Sequence, residues 1–182
     1  MTTMSKVRPE PKVKLIAASG NVSVRLQRSS KARKIADHDL EDSVPYLLAR
    51  AGMRMGQAFT QELKQFELTL TEWRVCVALF HEPQQRLADL AMHTSTDPST
   101  LSRTVDGLLR RHLLIRGRSN ADGRALALSL TAEGSELAQR VIPLAQLYER
   151  IALANFNAEQ SRALRDGLKQ VFENMALLDP AN

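Results

Sequence analysis

The sequence predicts a mostly α chain with one small β-hairpin, an α+β arrangement, and three observations carry that prediction. Apolar residues recur at three- and four-residue steps through six stretches between Val44 and Leu178. Helix-start signals stand at the heads of four of them: the capping-box spacings Thr69–Glu72 and Asn157–Gln160, the pair Asp97-Pro98, and Thr131 with Glu133 behind it. Between the fourth and fifth stretches lie two strand-like runs, LLIRGR (113–118) and ALALSL (125–130), joined by the turn residues Asn120, Asp122 and Gly123.

Composition narrows the function classes. The 182 residues hold one cysteine, Cys76, so no internal disulfide forms. No apolar run approaches the roughly 18 residues of a membrane helix, and the N-terminus lacks the apolar core of a signal peptide. The expectation is a soluble, cytoplasmic protein with no membrane partner. With one Trp and two Tyr, the chain has little with which to stack on single-stranded bases. Its net charge of +5 is unevenly spread. Residues 1–40 hold nine Lys/Arg against three acids, residues 86–130 hold seven against four, and the remainder holds nine against 13. Positive charge is thus local to the region around the hairpin and to the N-terminal segment, the pattern of a phosphate footprint.

Taken in order, residues 1–40 form a basic extension with Pro9, Pro11 and no helical period, and the alternation of Val22, Val24 and Leu26 permits a short strand. Two readings stand: a solvated tail, or an arm adding non-specific phosphate or minor-groove contacts through Arg25, Arg28, Lys31, Arg33 and Lys34. Residues 44–66 form a long helix whose wide apolar stripe (Leu47, Ala51, Met55, Phe59, Leu63, Phe66) needs a large partner surface. A second, mostly buried helix runs from about Thr69 to His81 and stops before Pro83. A short third spans Arg86 to His93. After the hairpin, one helix runs from Thr131 to about Phe156, with a bend expected at Pro143. A last helix runs to about Leu178, with Leu164, Leu168, Val171, Phe172 and Met175 on one face.

The fourth helix, from Asp97 to about Arg111, carries the chemistry. Leu101, Val105, Leu108 and Leu109 gather on one side; Ser99, Thr100, Ser102, Arg103, Asp106 and Arg110 lie on the other. Small hydroxyls allow close approach to base edges, and one Arg suits the O6 and N7 of guanine. Arg116, Arg118 and Arg124 stand on or beside the following hairpin. Two short helices meeting at a tight turn, then a basic ribbon, make a winged helix-turn-helix DNA reader.

The order of elements, together with LTLTEWRV, DPSTLSRTVDGLLRRHLLIR and DGRALALSLTAEG, resembles the MarR family of bacterial transcription regulators over residues 44–178. The resemblance implies a DNA-binding lobe at 67–130 and a homodimerisation region at 41–66 and 131–178, with residues 98–111 of each subunit in a major groove of a near-palindromic, double-stranded operator. It places Ser99, Thr100, Ser102 and Arg103 at the groove, matches Asp122-Gly123-Arg124 to the Asp-x-Arg of the wing tip, and gives Arg116 and Arg118 phosphate-supporting roles. His112 departs from the pattern, standing where the family commonly has Gly.

The resemblance further implies repression relieved by a small, often aromatic or anionic, effector bound between the lobes. Arg50, Arg54, Trp73, Cys76, Phe80 and His112 are candidates to line such a pocket; each also fits an ordinary role, the first two solvated, Trp73, Cys76 and Phe80 in the core. Two other functions remain: a thiol-based oxidant sensor through Cys76, opposed by its apolar neighbours, and a ligand-independent architectural DNA binder. His38, His81, His93 and His112 lack metal-ligand spacing. An enzyme is not expected, since no Gly-rich cofactor motif and no nucleophile–base pair occurs. No cofactor is expected.

Overall fold

The computed structural model describes residues 11–18, 21–28, 39–118 and 126–176, the first two segments as backbone. The chain divides into two compact units, residues 44–154 and residues 1–43 with 155–182.

The larger unit holds α1 (Val44–Leu63), α2 (Leu70–His81), α3 (Leu87–Thr94), α4 (Pro98–Arg110), the hairpin β3 (Leu114–Arg118) and β4 (Leu126–Leu130), and α5 (Ala132–Ala152). A 3-10 turn over Lys64–Phe66 closes α1, and Glu67 reverses the chain in the left-handed region at φ 53°. The Thr69–Glu72 capping box then starts α2: the Thr69 hydroxyl accepts from the Glu72 amide, and the Glu72 carboxylate accepts from the Thr69 amide. Helix α5 runs through Pro143 and ends at Ala152, short of the expected Phe156 because the chain turns there ahead of the Asn157 cap.

Helix α2 is the hub, packing on α1, α3, α4, α5 and β4. Its buried residues Trp73, Val75, Cys76 and Leu79 join Phe59 and Leu63 of α1, Leu90 of α3, Leu101, Val105 and Leu108 of α4, and Val141 of α5 in one core. Burying each of the α4 side chains contributes on the order of 2 kcal/mol. Strands β3 and β4 pair antiparallel with Leu114 opposite Leu130 and Arg118 opposite Leu126. Gln85 adds a third short edge through a bridge to Leu128, whose amide donates to the Gln85 carbonyl at 2.8 Å.

On α1, Val44, Leu47, Leu48, Met53 and Met55 remain exposed.

The second unit holds α6 (Ala158–Ala176), which starts at a reciprocal Asn157–Gln160 cap and buries none of its residues. Leu164, Leu168, Val171, Phe172 and Met175 are exposed along it. It also holds an antiparallel ribbon, β1 (Pro11–Ala18) with β2 (Asn21–Arg28). The alternation at Val22–Leu26 belongs to a paired strand; on β1 the alternation of Lys12 and Lys14 with Val13 and Leu15 carries the same period-2 pattern.

Candidate nucleic-acid interface

Helix α4 is fastened at both ends by its own sequence. At the start, the Asp97 carboxylate accepts from the Thr100 amide at 2.9 Å and from the Ser99 hydroxyl at 2.7 Å, and Pro98 occupies the first turn. These hydrogen bonds, from Thr100 first and Ser99 second, hold the Asp97 carboxyl down at about 2. The preceding turn reverses at Ser95, φ 49°, which closes α3.

At the other end the Leu113 amide donates to the Leu108 carbonyl and the His112 amide to the Leu109 carbonyl, each at 3.0 Å. This is a Schellman cap, with His112 in the left-handed position at φ 59° and buried Leu113 packed in the same core as Leu108. The departure from Gly at this position therefore leaves the turn intact. Beyond it the chain is stitched to α5: the Thr131 hydroxyl donates to the His112 carbonyl at 2.8 Å and accepts from the Gly134 amide at 3.0 Å.

Between these caps, Leu101, Val105 and Leu108 are fully buried. Ser99 and Arg103 are exposed, and Thr100 and Ser102 are half-buried, so the four predicted reader residues share the outward side of one helix. Asp106 on that helix accepts from Arg116 of β3 at 2.8 Å, tying the wing's first strand to α4. Arg116 is thus engaged within the fold, whereas Arg118 lies exposed at the end of β3. Asp122 and Arg124 lie outside the described residues. Across the lobe, Arg111 pairs with Glu72 at 3.2 Å, joining the end of α4 to the start of α2.

The wing base has a support that sequence reasoning missed. Buried Gln85 donates its amide to the carbonyls of Ala78 (3.0 Å) and Glu82 (2.8 Å), and its side-chain oxygen accepts from His93 Nδ1 at 2.6 Å. A glutamine between two helices gives no periodic signal, so nothing in the sequence marked it.

A cavity of about 330 Å³ opens between α1, α2 and α5. Met55, Phe59, Leu70, Trp73 and Tyr148 supply apolar wall, and Arg74 and Glu149 supply charge. Phe59 stands edge-on to both Trp73 (6.0 Å) and Tyr148 (5.5 Å). Tyr148 donates to Glu62 at 3.1 Å; burial and that carboxylate push its phenol upward. Of the six residues proposed for a pocket, Trp73 lines this cavity and the other five do not. Arg50 lies over the Tyr46 ring at 5.2 Å, Arg54 is exposed, and Phe80 stands edge-on to His81. His112 serves the α4 cap. The sequence signal for this room is Gly52 and Gly56, one helical turn apart on α1.

Cys76 is fully buried, and its thiol is pushed up to about 12 by desolvation first and the nearby Glu72 charge second, against the opposing pull of Arg111. A thiol so placed yields little thiolate at neutral pH.

The MarR family model matches residues 68–126. The HTH-type transcriptional repressor Rv2887 of Mycobacterium tuberculosis is 30% identical over 134 residues, 72% of this chain and 96% of that protein. The HTH-type transcriptional repressor NicR of Pseudomonas putida is 25% identical over 138 residues, 75% of this chain and 87% of that protein. BpsR of Bordetella bronchiseptica, solved in work on regulation of its DNA binding by 6-hydroxynicotinic acid, matches with a TM-score of 0.66 at 25% identity, over 75% of this chain and 97% of that one. A MarR family regulator from Silicibacter pomeroyi shares the fold with a TM-score of 0.70 at 23% identity, over 78% of this chain and 96% of that one. With its capped reader helix, its hairpin wing and these relatives, the chain belongs to the MarR family of winged helix-turn-helix transcriptional regulators.

Proposed function

We propose that the protein is a cytoplasmic, homodimeric repressor that binds a near-palindromic operator and releases it when a small aromatic acid enters the α1–α2–α5 cavity. The observation that carries the DNA-binding part is α4 itself. Both of its ends are capped within the fold and its apolar row is buried, which leaves Ser99, Thr100, Ser102 and Arg103 outward. Such a helix enters a major groove as a preformed unit, with Arg103 the base-reading cation and Arg118, Asp122 and Arg124 serving the wing. Arg116 contributes by holding the wing to α4 through Asp106. The uncovered apolar residues of α1 and of α6 support dimerisation, since rows of this size in water favour a second copy.

The effector part is supported by the cavity's chemistry. Three aromatic rings offer edges and faces to a planar ring, and Arg74 offers a cation to a carboxylate. Because α2 belongs to both the cavity wall and the reader lobe, a ligand that fits better with the reader helices wrongly spaced weakens DNA binding by linkage. The repressor names of Rv2887 and NicR, and the 6-hydroxynicotinic acid of BpsR, agree with this reading. The test is an operator-shift assay on DNA flanking the protein's own gene, with a panel of aromatic acids and their thioesters. Release by at least one supports the proposal. Tight binding that none relieves rejects the effector part in favour of an architectural DNA binder.

A further inference from the structure

The ribbon β1–β2 has no part in the reader described above, and the match to the family model begins only at residue 68. Its register sorts its residues into two unlike faces. Val13 stands opposite Leu26, Leu15 opposite Val24, and Ala17 opposite Val22, so one face carries three apolar pairs, with Pro11 and Arg28 at its end. The alternate pairs put Lys12 opposite Gln27, Lys14 opposite Arg25, and Ile16 opposite Ser23, so Lys12, Lys14 and Arg25 share the other face. The sequence from 11 to 36 contains seven Lys/Arg and no acid.

Two physical facts bear on this arrangement. Like charges directly opposite one another, here Lys14 and Arg25, destabilise a strand pair. An isolated two-stranded ribbon is also marginal in water. Residues 11–36 hold no carboxylate of their own, and a polyanion is the partner complementary to that charge. The kind of polyanion is narrowed by what the segment lacks: residues 1–40 contain no Phe, Tyr or Trp. That removes the aromatic anchors typical of membrane-surface elements and the rings that stack on single-stranded bases. Duplex DNA, bound through its phosphates, needs neither.

We infer that the β1–β2 ribbon is a second DNA-binding element, which grips the duplex phosphate backbone without regard to sequence through Lys12, Lys14 and Arg25. The inference rests on the DNA-binding reading of the chain. The ribbon raises affinity for any duplex and steepens its salt dependence, while discrimination between sequences stays with α4.

The test measures binding of the full chain to a mixed-sequence duplex of roughly 40 bp across a salt series, beside the variants Lys12→Gln/Lys14→Gln/Arg25→Gln and Lys12→Arg/Lys14→Arg. Each phosphate contact contributes about 0.9 to the slope of log affinity against log salt, so the triple variant should lose about 2 to 3 per protomer. The Arg variant, which keeps the charge, should keep the parent's slope. A triple variant with the parent's slope overturns the inference, and so does an Arg variant that loses affinity as the Gln variant does, since charge is then not what matters. Vesicles of anionic phospholipid form a parallel arm. If the triple variant loses vesicle binding while its DNA slope is unchanged, the face belongs to lipid and the inference fails. A parent chain that binds neither this duplex nor the operator DNA at any salt marks failure of the DNA-binding reading itself.

Discussion

Gly134, in the first turn of α5, lies directly against the backbone of Leu113: a β-carbon built on Gly134 would fall far inside contact distance of the Leu113 carbonyl oxygen. The neighbour is main chain, already held by the Leu108 and Thr131 hydrogen bonds, so it has no flexible end to move aside. Gly134→Ala should cost about 2 to 3 kcal/mol in a denaturation titration, the scale of overpacking against a fixed wall. It should also weaken DNA binding beyond that, because the same contact fixes where α4 ends. A variant of parental stability would show that this junction yields.

His112 occupies a left-handed position that costs a side chain roughly 1 kcal/mol or more. His112→Gly should therefore raise unfolding free energy by up to about 1 kcal/mol, the relief being partly offset by the greater freedom of glycine in the unfolded chain. Equal midpoints for the two proteins in urea would contradict this.

The pair of residues at this joint shows what was legible in the sequence and what was not. Helices and hairpin follow from apolar spacing and from caps such as Thr69–Glu72 and Asp97-Pro98, which are local and leave a mark in the letters. The outward side of α4 follows from the same periodicity. His112 looked like a departure, because a sequence shows the absence of glycine but not the Schellman hydrogen bonds that hold a histidine in its place. The Gln85 bridge, the Asp106–Arg116 pair and the cavity wall of Tyr148 and Arg74 depend on elements distant in the chain, and no spacing rule brings them together.

Asp97 should give the fold a defined acid sensitivity. Its carboxyl is lowered from 3.8 to about 2 in the folded protein. A lowered folded pKa contributes stability that is complete above the unfolded value and is lost as pH falls through the folded one. Thermal midpoints should therefore drop as the pH is lowered from 3.8 to about 2. Asp97→Asn, which keeps an acceptor for Thr100 but carries no charge, should flatten that portion of the curve. Identical acid profiles would remove Asp97 from the explanation.

Cys76 should behave as a packing residue. Its thiol should react with an aromatic disulfide reagent only as fast as the protein opens, and peroxide should leave operator binding unchanged. Rapid labelling under native conditions, or release by peroxide that Cys76→Ala abolishes, would restore the oxidant-sensor reading.

Gly52 offers the cleanest test of the cavity, because a β-carbon there meets nothing within 4 Å. Gly52→Leu should fill part of the space without straining α1, so DNA affinity persists while any effector's half-maximal release concentration rises about tenfold or more. An unchanged effector response would place the ligand elsewhere.

The fastening of α4 has a consequence for how such a protein diverges. Asp97, Leu101, Val105, Leu108 and the His112 turn hold the helix, whereas Ser102 and Arg103 are absent from those attachments. On the reading proposed above, substitutions at these two positions should change which bases are read while leaving the architecture intact. New operator preferences are thus reachable by single steps through folded intermediates, so a duplicated gene has a short path to a new target.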